Sequence, residues 1–336
     1  MTKERSAGRR VNERAALGRG AHLRRLGACY MGIFLLILFF KNSSAAALWV
    51  NEGLRLCVTR LIPSLFPFMV VSSLVVSSGA GAQVCKPISG VFGTLMGIGA
   101  DGTCAVVLGW LCGFPVGAKC AGALFDDGRI DEGEYQRIVC VSGTPSPAFL
   151  IGAVGGGMLG SAWAGALLYL ISLLSAAIVG VMLRLRSGGK DTRRTTLCAA
   201  LGNSHRGIAE LLTGAISDAG LGMLSVCSFV VFFSAFLGVL DGALSVFSLP
   251  EEVTAVLFCV FELTTGLARV SELGEGLVFP LSALAVGWSG LSVHFQTVSV
   301  CAGRGVRLTA YFFACAMRMI ICFLLAAAMG ALIKIF

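Results

Sequence analysis

Apolar stretches of about twenty residues recur from Leu26 to the end of this chain. A helix of that length spans the ~30 Å hydrocarbon core of a bilayer, and lipid requires every backbone polar group to pair within the protein. The 336-residue chain is 56% hydrophobic and 13% charged, whereas a soluble domain carries roughly 25% charged residues. The sequence therefore predicts an all-α, polytopic membrane protein.

Two basic clusters flank the apolar stretches, one before Leu26 and one after residue 183. Lysine and arginine concentrate on the cytoplasmic side of membrane segments. The predicted division is a basic cytoplasmic tail (1–26), a first transmembrane half (27–183), a basic cytoplasmic linker (184–206) and a second transmembrane half (207–336). Residues 31–40 also fit the apolar part of a signal peptide, but the long basic region before them and the apolar segments after them favour an uncleaved first helix.

The composition and motifs exclude several classes of function. The thirteen cysteines show no C-x-x-C spacing and mostly lie in apolar runs, which predicts reduced structural thiols, no metal and no cofactor. Walker, H-E-x-x-H and nucleophile-elbow signatures are absent from the sequence, so we predict that the protein is not an enzyme. An intramembrane hydrolase stays open on composition, although no nucleophile is paired with a base. Because the basic residues flank membrane segments, we predict no nucleic-acid partner.

Proline and glycine interrupt several apolar stretches. Proline removes a helical hydrogen bond and glycine permits close backbone approach. In a membrane such breaks persist where protein or a water-lined cavity surrounds them, as in secondary transporters with discontinuous helices. The alternative is ordinary kinked helices whose glycines serve close packing. The interrupted stretches are LIPSLFPF (61–68), the glycine-rich run 88–100, GFPVGAK (113–119), SGTPSPAF (142–149) and SGLSVHFQ (289–296).

The linker separates two series of similar features. Each series has a proline- or glycine-marked helix, an interrupted apolar segment, a serine-glycine break and a long closing helix. This order predicts two repeated halves containing discontinuous or re-entrant helices, an inverted repeat with a shared site near the membrane midplane. The features lie at 61–79, 108–122, 142–149 and 161–183 in the first half, and at 215–240, 257–270, 289–296 and 308–334 in the second.

Ionisable side chains inside the apolar stretches are the next candidates. Each costs at least about 2.5 kcal/mol at the bilayer centre, so it needs a function or a partner. Lys119 follows the first break, although it can also extend to the interface. Glu262 and Arg269 lie seven residues apart, a spacing that also fits a structural ion pair on one helix face. His294 is a candidate beside Gln296, with a hydrogen-bonded core histidine as the alternative.

The breaks and charges together predict one substrate-binding site. Helix N-termini attract carboxylates, and three basic side chains add positive charge, so a small planar anion is the expected substrate. Protonation of His294 near its ordinary pKa of ~6.5 is expected to strengthen binding, and Lys119→Ala to remove most transport. Arg318 is interpreted instead as a helix-packing charge. The predicted site consists of Gly113, Pro115, Gly117, Lys119, Ser146, Pro147, Glu262, Arg269, His294 and Gln296.

Four segments carry a resemblance to a known family: residues 61–79, 113–134, 142–155 and 288–299. With the motifs G-F-P-V-G-A-K, S-P-A-F and G-L-S-V-H-F-Q in this order, the chain resembles the nucleoside-recognition, or Gate, domain proteins. Among them it is most similar to the sporulation integral membrane protein family of the YlbJ type. The resemblance implies a relation to concentrative nucleoside transporters, with repeated hairpin-plus-helix halves. It also implies a role in the mother cell of endospore formers, linked to moving dipicolinate toward the spore.

The expected function is therefore a secondary transporter or facilitator for a small carboxylate anion, dipicolinate by resemblance, in the outer forespore membrane. The expected partners are the anionic small molecule and the lipid bilayer, and the sequence leaves a homo-oligomer open. Two alternatives stay open. One is a nucleoside or other metabolite carrier of the same fold, and the other is a non-transporting membrane protein needed for spore morphogenesis.

Overall fold

The structure is a computed structural model that describes residues 26–77, 85–186 and 207–333. These residues form helices joined by short connections, and no strand occurs among them. The predicted all-α class is confirmed. The basic tail and most of the linker lie outside the described residues, so their cytoplasmic placement stays a prediction.

Five helical stretches in the described part of the chain are long and apolar enough to cross a membrane. A sixth crossing is added if a pair of helices bent by 96° counts as one span. The chain is thus a polytopic membrane protein. The five stretches are Ser43–Val71, Ala162–Arg186, Ile208–Gly242, Gly276–Val300 and Leu308–Met329.

The first half begins with three helical segments followed by shorter pieces. Its helices are α1 (Leu26–Lys41), α2 (Ser43–Leu56), α3 (Ile62–Ser77), α4 (Ser89–Met96), α5 (Ala100–Cys112), α6 (Val116–Asp126), α7 (Glu132–Ser142) and α8 (Ala162–Arg186). Two π-helical segments, Cys57–Leu61 and Ala148–Gly156, complete it.

The second half contains fewer segments. Its helices are α9 (Ile208–Leu244), α10 (Glu251–Phe261), α11 (Leu263–Val270), α12 (Glu275–Trp288), α13 (Leu291–Val300) and α14 (Leu308–Ile333).

One order of elements occurs in both halves. A hairpin of two short helices comes first, namely α5–α6 and then α10–α11, and the helices of each hairpin pack against each other. A helix broken near its middle follows. In the first half it consists of α7 and the second π-helical segment, Ala148–Gly156, and in the second half of α12 and α13. A long helix, α8 or α14, closes each series. This order is consistent with the predicted repeat, while the duplication itself stays a prediction.

Small residues allow the helices of each hairpin to approach closely. A Cβ atom added at Gly109 would lie 3.0 Å from the Cα atom of Gly117 across the first hairpin. A Cβ atom added at Gly266 would lie 2.5 Å from the Cα atom of Cys259 across the second. Larger side chains at Gly109 and Gly266 would therefore force the hairpin helices apart, as at other small-residue contacts between membrane helices.

One predicted break is wrong. The prolines at 61–68 do not end the helix, because Pro67 lies inside α3. The π-helical segment Cys57–Leu61 directly precedes α3 and continues into it. The i→i+5 hydrogen bonds of a π-helix accommodate an extra residue without ending the helix. The glycine-rich run does contain a break: α4 ends at Met96, and α5 begins at Ala100 with the 96° bend between them.

Candidate functional site

Four helix breaks, two from each half, converge on one cavity of about 70 Å³. The breaks lie between α5 and α6, between α7 and the second π-helical segment, between α10 and α11, and between α12 and α13. These breaks and the helix turns beside them supply Cys112, Gly113, Phe114, Pro145, Ser146, Glu262, Leu263, Thr264, Ser292, Val293 and Gln296 to the lining. Apolar side chains of α3, the π-helical segment and α9 complete it: Leu65, Met69, Phe149, Val226 and Val230.

Within each half, the hairpin break contacts the break of the following helix. Gly113 has a positive φ of 80°, and a Cβ atom added there would lie 3.0 Å from the backbone nitrogen of Ser146. Gly290 has a φ of 83°, and its added Cβ atom would lie 2.9 Å from the backbone nitrogen of Leu263. Both the conformation and the close approach require glycine. The two glycines therefore hold the paired breaks together.

Glu262 forms the break of the second hairpin. Its backbone is extended, with φ −142° and ψ 122°, so α10 ends before it and α11 begins after it. Its carboxylate accepts hydrogen bonds from the backbone nitrogens of Thr264 at 3.0 Å and Thr265 at 2.5 Å. A carboxylate in this position satisfies the free N–H groups of a helix N-terminus and interacts favourably with its dipole. Glu262 is thus a fixed helix cap that also lines the cavity.

At the other three breaks, the helical segment after the break is capped by a different group or has no side-chain cap. The Oγ atom of Ser146 accepts a hydrogen bond from the backbone nitrogen of Phe149 at 3.2 Å. The helices α6 and α13 begin at Pro115 and Gly290, and neither N-cap residue makes a side-chain capping hydrogen bond. The first N–H groups of a helix have no partner within the helix. At α6 the Val116 nitrogen donates to the Gly113 oxygen at 3.1 Å, so the backbone donors left for a bound group are those of the next residues of α6 and of the first residues of α13.

The structure brings four of the predicted site residues to the cavity: Gly113, Ser146, Glu262 and Gln296. Ser146 and Gln296 belong to the two serine-glycine motifs, SGTPSPAF and SGLSVHFQ. The repeat prediction expects these motifs to lie at one site. Three further predicted residues shape the breaks without lining the cavity. Pro115 and Pro147 are the N-cap residues of α6 and the second π-helical segment, and Gly117 packs against Ser142. Their part in substrate binding stays a prediction.

Lys119 does not line the cavity. Its side chain is exposed on the outer face of α6. The inward face of that helix consists of small or apolar residues: Gly117, Ala118, Ala121, Gly122 and Leu124. Because helical residues one or two positions apart point in different directions, a lysine beside a break need not face the cavity. The predicted contribution of Lys119 to the site is therefore not supported by its position.

Arg269 lies in a different place from the one predicted. Its Nη1 and Nη2 atoms donate to the two carboxylate oxygens of Asp241 at 2.8 and 3.1 Å, and its guanidinium lies 4.1 Å from the ring centre of Phe258. The alternative, a structural ion pair between Arg269 and Glu262, is also wrong, because Glu262 lies in the break and does not share a helix face with Arg269. Arg269 and Asp241 instead line a second cavity of about 290 Å³ with Glu251, Thr254, Glu272 and Leu273. Among the described residues, no group of three or more His, Cys, Asp or Glu side chains is arranged to hold a metal ion.

His294 is a buried core histidine, 2% exposed, outside the cavity lining. Its Nδ1 atom lies 3.0 Å from the hydroxyl of Tyr311, and its ring packs 4.6 Å from the ring centre of Trp288. Ser292 and Gln296, four residues apart on α13, share the face toward the cavity, whereas His294 lies between them on another face. The alternative interpretation of His294 thus matches the structure.

Sequence reasoning missed the apolar part of the lining. Phe114 and Phe149 lie inside quoted motifs, where an aromatic residue in an apolar run carries no distinguishing signal. Val226 and Val230 occur four residues apart in α9, a helix that is apolar along most of its length. Their position depends on how α9 packs against the rest of the protein.

These features define a polytopic membrane protein whose discontinuous helices meet at one internal cavity. The chain is similar to the sporulation integral membrane protein YlbJ of Bacillus subtilis (strain 168), with 25% identity over 316 aligned residues. The alignment covers 84% of this chain and 77% of that protein. It confirms the resemblance to the YlbJ type that the sequence motifs indicate. No family model matches the chain, and no solved structure matches it.

Proposed function

We propose that this protein is a carrier that moves a small solute across a membrane during sporulation. The observation that carries the proposal is the meeting of four helix breaks from both halves around one cavity. Secondary transporters bind their substrates at discontinuous helices near the membrane midplane, where two structural repeats meet. The similarity to the sporulation integral membrane protein YlbJ of Bacillus subtilis supports the link to sporulation.

The first candidate substrate is a small carboxylate, with dipicolinate as the example that the family resemblance implies. The open N-termini of α6 and α13 support an anion, because their free N–H groups carry positive partial charge. The cavity of about 70 Å³ is smaller than the roughly 300–1,000 Å³ of typical ligand pockets. We therefore interpret the described conformation as closed, and we expect the cavity to widen when one half moves against the other.

The second candidate substrate is an uncharged polar solute such as a nucleoside. It is favoured by the chemistry of the lining, in which Glu262 is the acidic side chain and Gln296, Ser146, Ser292 and Thr264 are the neutral polar ones. The three basic residues expected to attract an anion, Lys119, Arg269 and His294, all lie away from this lining. Amide and hydroxyl groups in a mostly apolar pocket suit hydrogen bonding to a neutral ligand.

The proposed carrier performs no catalysis and acts in the outer forespore membrane, the location implied by the family resemblance. The competing proposal is a membrane protein that supports spore morphogenesis without transporting a solute. It predicts that the cavity residues can be replaced without effect as long as the protein folds.

The test is uptake by liposomes that contain the purified full-length protein. Labelled dipicolinate and labelled uridine are offered separately, and protein-free liposomes provide the background. We expect saturable dipicolinate uptake above background. Uptake of uridine alone would favour the second candidate. Absence of uptake of both solutes by correctly inserted protein would contradict the carrier proposal.

A further inference from the structure

Arg318 is the largest side chain that is almost fully buried, with 2% of its surface exposed. It lies ten residues after the start of α14, or about 15 Å along a helix that rises ~1.5 Å per residue. This depth corresponds to the middle of the ~30 Å hydrocarbon core. A guanidinium at such a position strongly favours a compensating negative group, because an unpaired charge in a low-dielectric interior is unfavourable.

The described part of the protein gives Arg318 one hydrogen-bond partner. Its Nη1 atom donates to the backbone oxygen of Gly143, in the break between α7 and the second π-helical segment. Its Nε and Nη2 atoms are buried and have no hydrogen-bond partner among the described residues. No ion pair with a carboxylate is formed by Arg318 within those residues. The interpretation as a pure helix-packing charge therefore leaves two donors unexplained.

The two free donors of Arg318 have a specific geometry. The N–H groups on Nε and Nη2 lie side by side on one edge of the planar guanidinium, and this edge matches the two oxygens of a carboxylate. Two buried hydroxyl groups flank Gly143 in sequence, on Ser142 and Thr144, and they also lack hydrogen-bond partners in the described structure. A carboxylate thus fits the guanidinium edge better than a spherical anion or a neutral group.

The Phe114 ring lies at the cavity and also beside the Gly143 segment that Arg318 contacts. Phe114 lines the cavity, and a Cβ atom added at Gly143 would lie 3.3 Å from Cε1 of the Phe114 ring and 3.9 Å from Nη1 of Arg318. Pro145 and Ser146, directly after this segment, line the cavity themselves. Rotation of the Phe114 ring or a small movement of the break would therefore join the cavity to the region around Arg318.

We propose that Arg318 is the carboxylate-binding residue of the carrier site, and that the Phe114 ring separates it from the cavity in the described conformation. The inference rests on the proposed carrier function and assigns its substrate to the carboxylates. It also supplies the positive charge that Lys119, Arg269 and His294 do not bring to the cavity.

The test compares two ligands of the same shape on the full-length protein in lipid nanodiscs. Dipicolinate, which is pyridine-2,6-dicarboxylate, carries two carboxylates. Pyridine-2,6-dicarboxamide has neutral amides in their place. Calorimetry measures both affinities for the wild type, Arg318→Gln, Arg318→Lys and the surface control Arg55→Gln. Glutamine is shorter than arginine but keeps a polar amide, so Arg318→Gln removes the charge without placing an apolar group beside the break.

We expect Arg318→Gln to weaken dicarboxylate binding about 10- to 100-fold, the range for a lost hydrogen bond to a charged group, and to leave dicarboxamide binding unchanged. Arg318→Lys keeps the charge without the parallel donors and is expected to fall between Arg318→Gln and the wild type. Arg55→Gln is expected to bind both ligands like the wild type. An equal loss of both ligands in Arg318→Gln would show a structural role and overturn the proposal.

Phe114→Ala provides a second test that does not disturb Arg318. Removing the ring is expected to speed dicarboxylate binding, because the barrier between cavity and guanidinium is gone; an unchanged binding rate would overturn the separating role. If Arg318→Gln does not fold, Arg318→Lys decides: a loss confined to the dicarboxylate supports the binding role, and an equal loss of both ligands overturns it. A wild type that transports uridine but does not bind the dicarboxylate would overturn the carboxylate inference and leave the carrier proposal standing. A wild type that transports neither solute contradicts the carrier proposal itself.

Discussion

The two hairpins, α5–α6 and α10–α11, reach the same cavity with breaks that differ in backbone and in chemistry. The first break is made of Gly113, Phe114 and Pro115, and the N-terminus of α6 after it has no side-chain cap. The second break is Glu262, whose carboxylate caps α11 through the backbone nitrogens of Thr264 and Thr265. The first hairpin thus presents open backbone donors, and the second presents a carboxylate whose two oxygens are already engaged.

This difference suggests how the cavity divides its tasks. A free helix N-terminus attracts electron-rich groups of a solute, whereas a capped one does not. We infer that the first hairpin contributes recognition of the solute and that the second hairpin contributes a fixed wall. Substitutions in the two hairpins should therefore differ in kind: those at Glu262 should act on stability, and those near Gly113 should act on transport.

The largest effect is expected for Glu262→Ala. The change removes both hydrogen bonds to the buried N-terminus of α11, which at about 1.5–3 kcal/mol for each bond to a charged group amounts to about 3 kcal/mol or more. Glu262→Gln is the matched variant, because its amide oxygen can keep one of the two bonds. Thermal unfolding of the detergent-solubilised proteins measures the difference. Equal unfolding temperatures for Glu262→Ala and the wild type would contradict the capping role.

The next effect is expected for Gly113→Ala. Gly113 has φ 80° and ψ −168°, a region that is essentially confined to glycine, so an alanine there is strained by about 1–3 kcal/mol, and its Cβ atom would lie 3.0 Å from the Ser146 nitrogen. We expect folded protein with most of its liposome uptake lost, since the paired breaks must separate. Gly128→Ala is the control, because Gly128 has a φ of 67° but open space around an added Cβ atom. Similar uptake losses in both variants would show that the conformation, and not the contact with Ser146, is responsible.

The sequence predicts the breaks well because their causes are local. The glycine at 113, the proline at 115 and the serine-glycine pair at 289–290 change the backbone wherever they occur in an apolar run. Side-chain directions are less predictable. Arg269 pairs with Asp241, 28 residues earlier in the chain, and this contact depends on how α9 packs against α11. Glu262 is one of the predicted site residues, but its capping role follows from an extended conformation that spacing alone does not indicate.

A smaller effect is expected for Ser146→Ala, which tests the capped break of the first half. The serine cap on the backbone nitrogen of Phe149 contributes about 1 kcal/mol, so the protein should stay folded with a slightly lower unfolding temperature. If Ser146 also contacts the solute, the apparent KM for uptake should rise more than this loss of stability explains. Ser146→Thr keeps the hydroxyl group and should restore the cap. An unchanged KM in Ser146→Ala would limit the residue to capping.

The smallest effect is expected for Lys119→Ala. The side chain is exposed on the outer face of α6, so its removal should leave both the unfolding temperature and the uptake rate at the wild-type values. This expectation reverses the one drawn from the sequence, in which Lys119 provides the charge of the site. Loss of most uptake in Lys119→Ala would show that α6 rotates during transport and would contradict the described orientation.

The central claim is that the breaks of both halves form one solute site. A structure of the full-length protein in lipid nanodiscs at saturating dipicolinate tests it most directly. We predict bound solute in contact with Ser146 of the first half and Gln296 of the second, in a cavity larger than about 70 Å³. Solute bound instead beside Asp241 and Arg269 in the second cavity, or held by residues of one half alone, would contradict it.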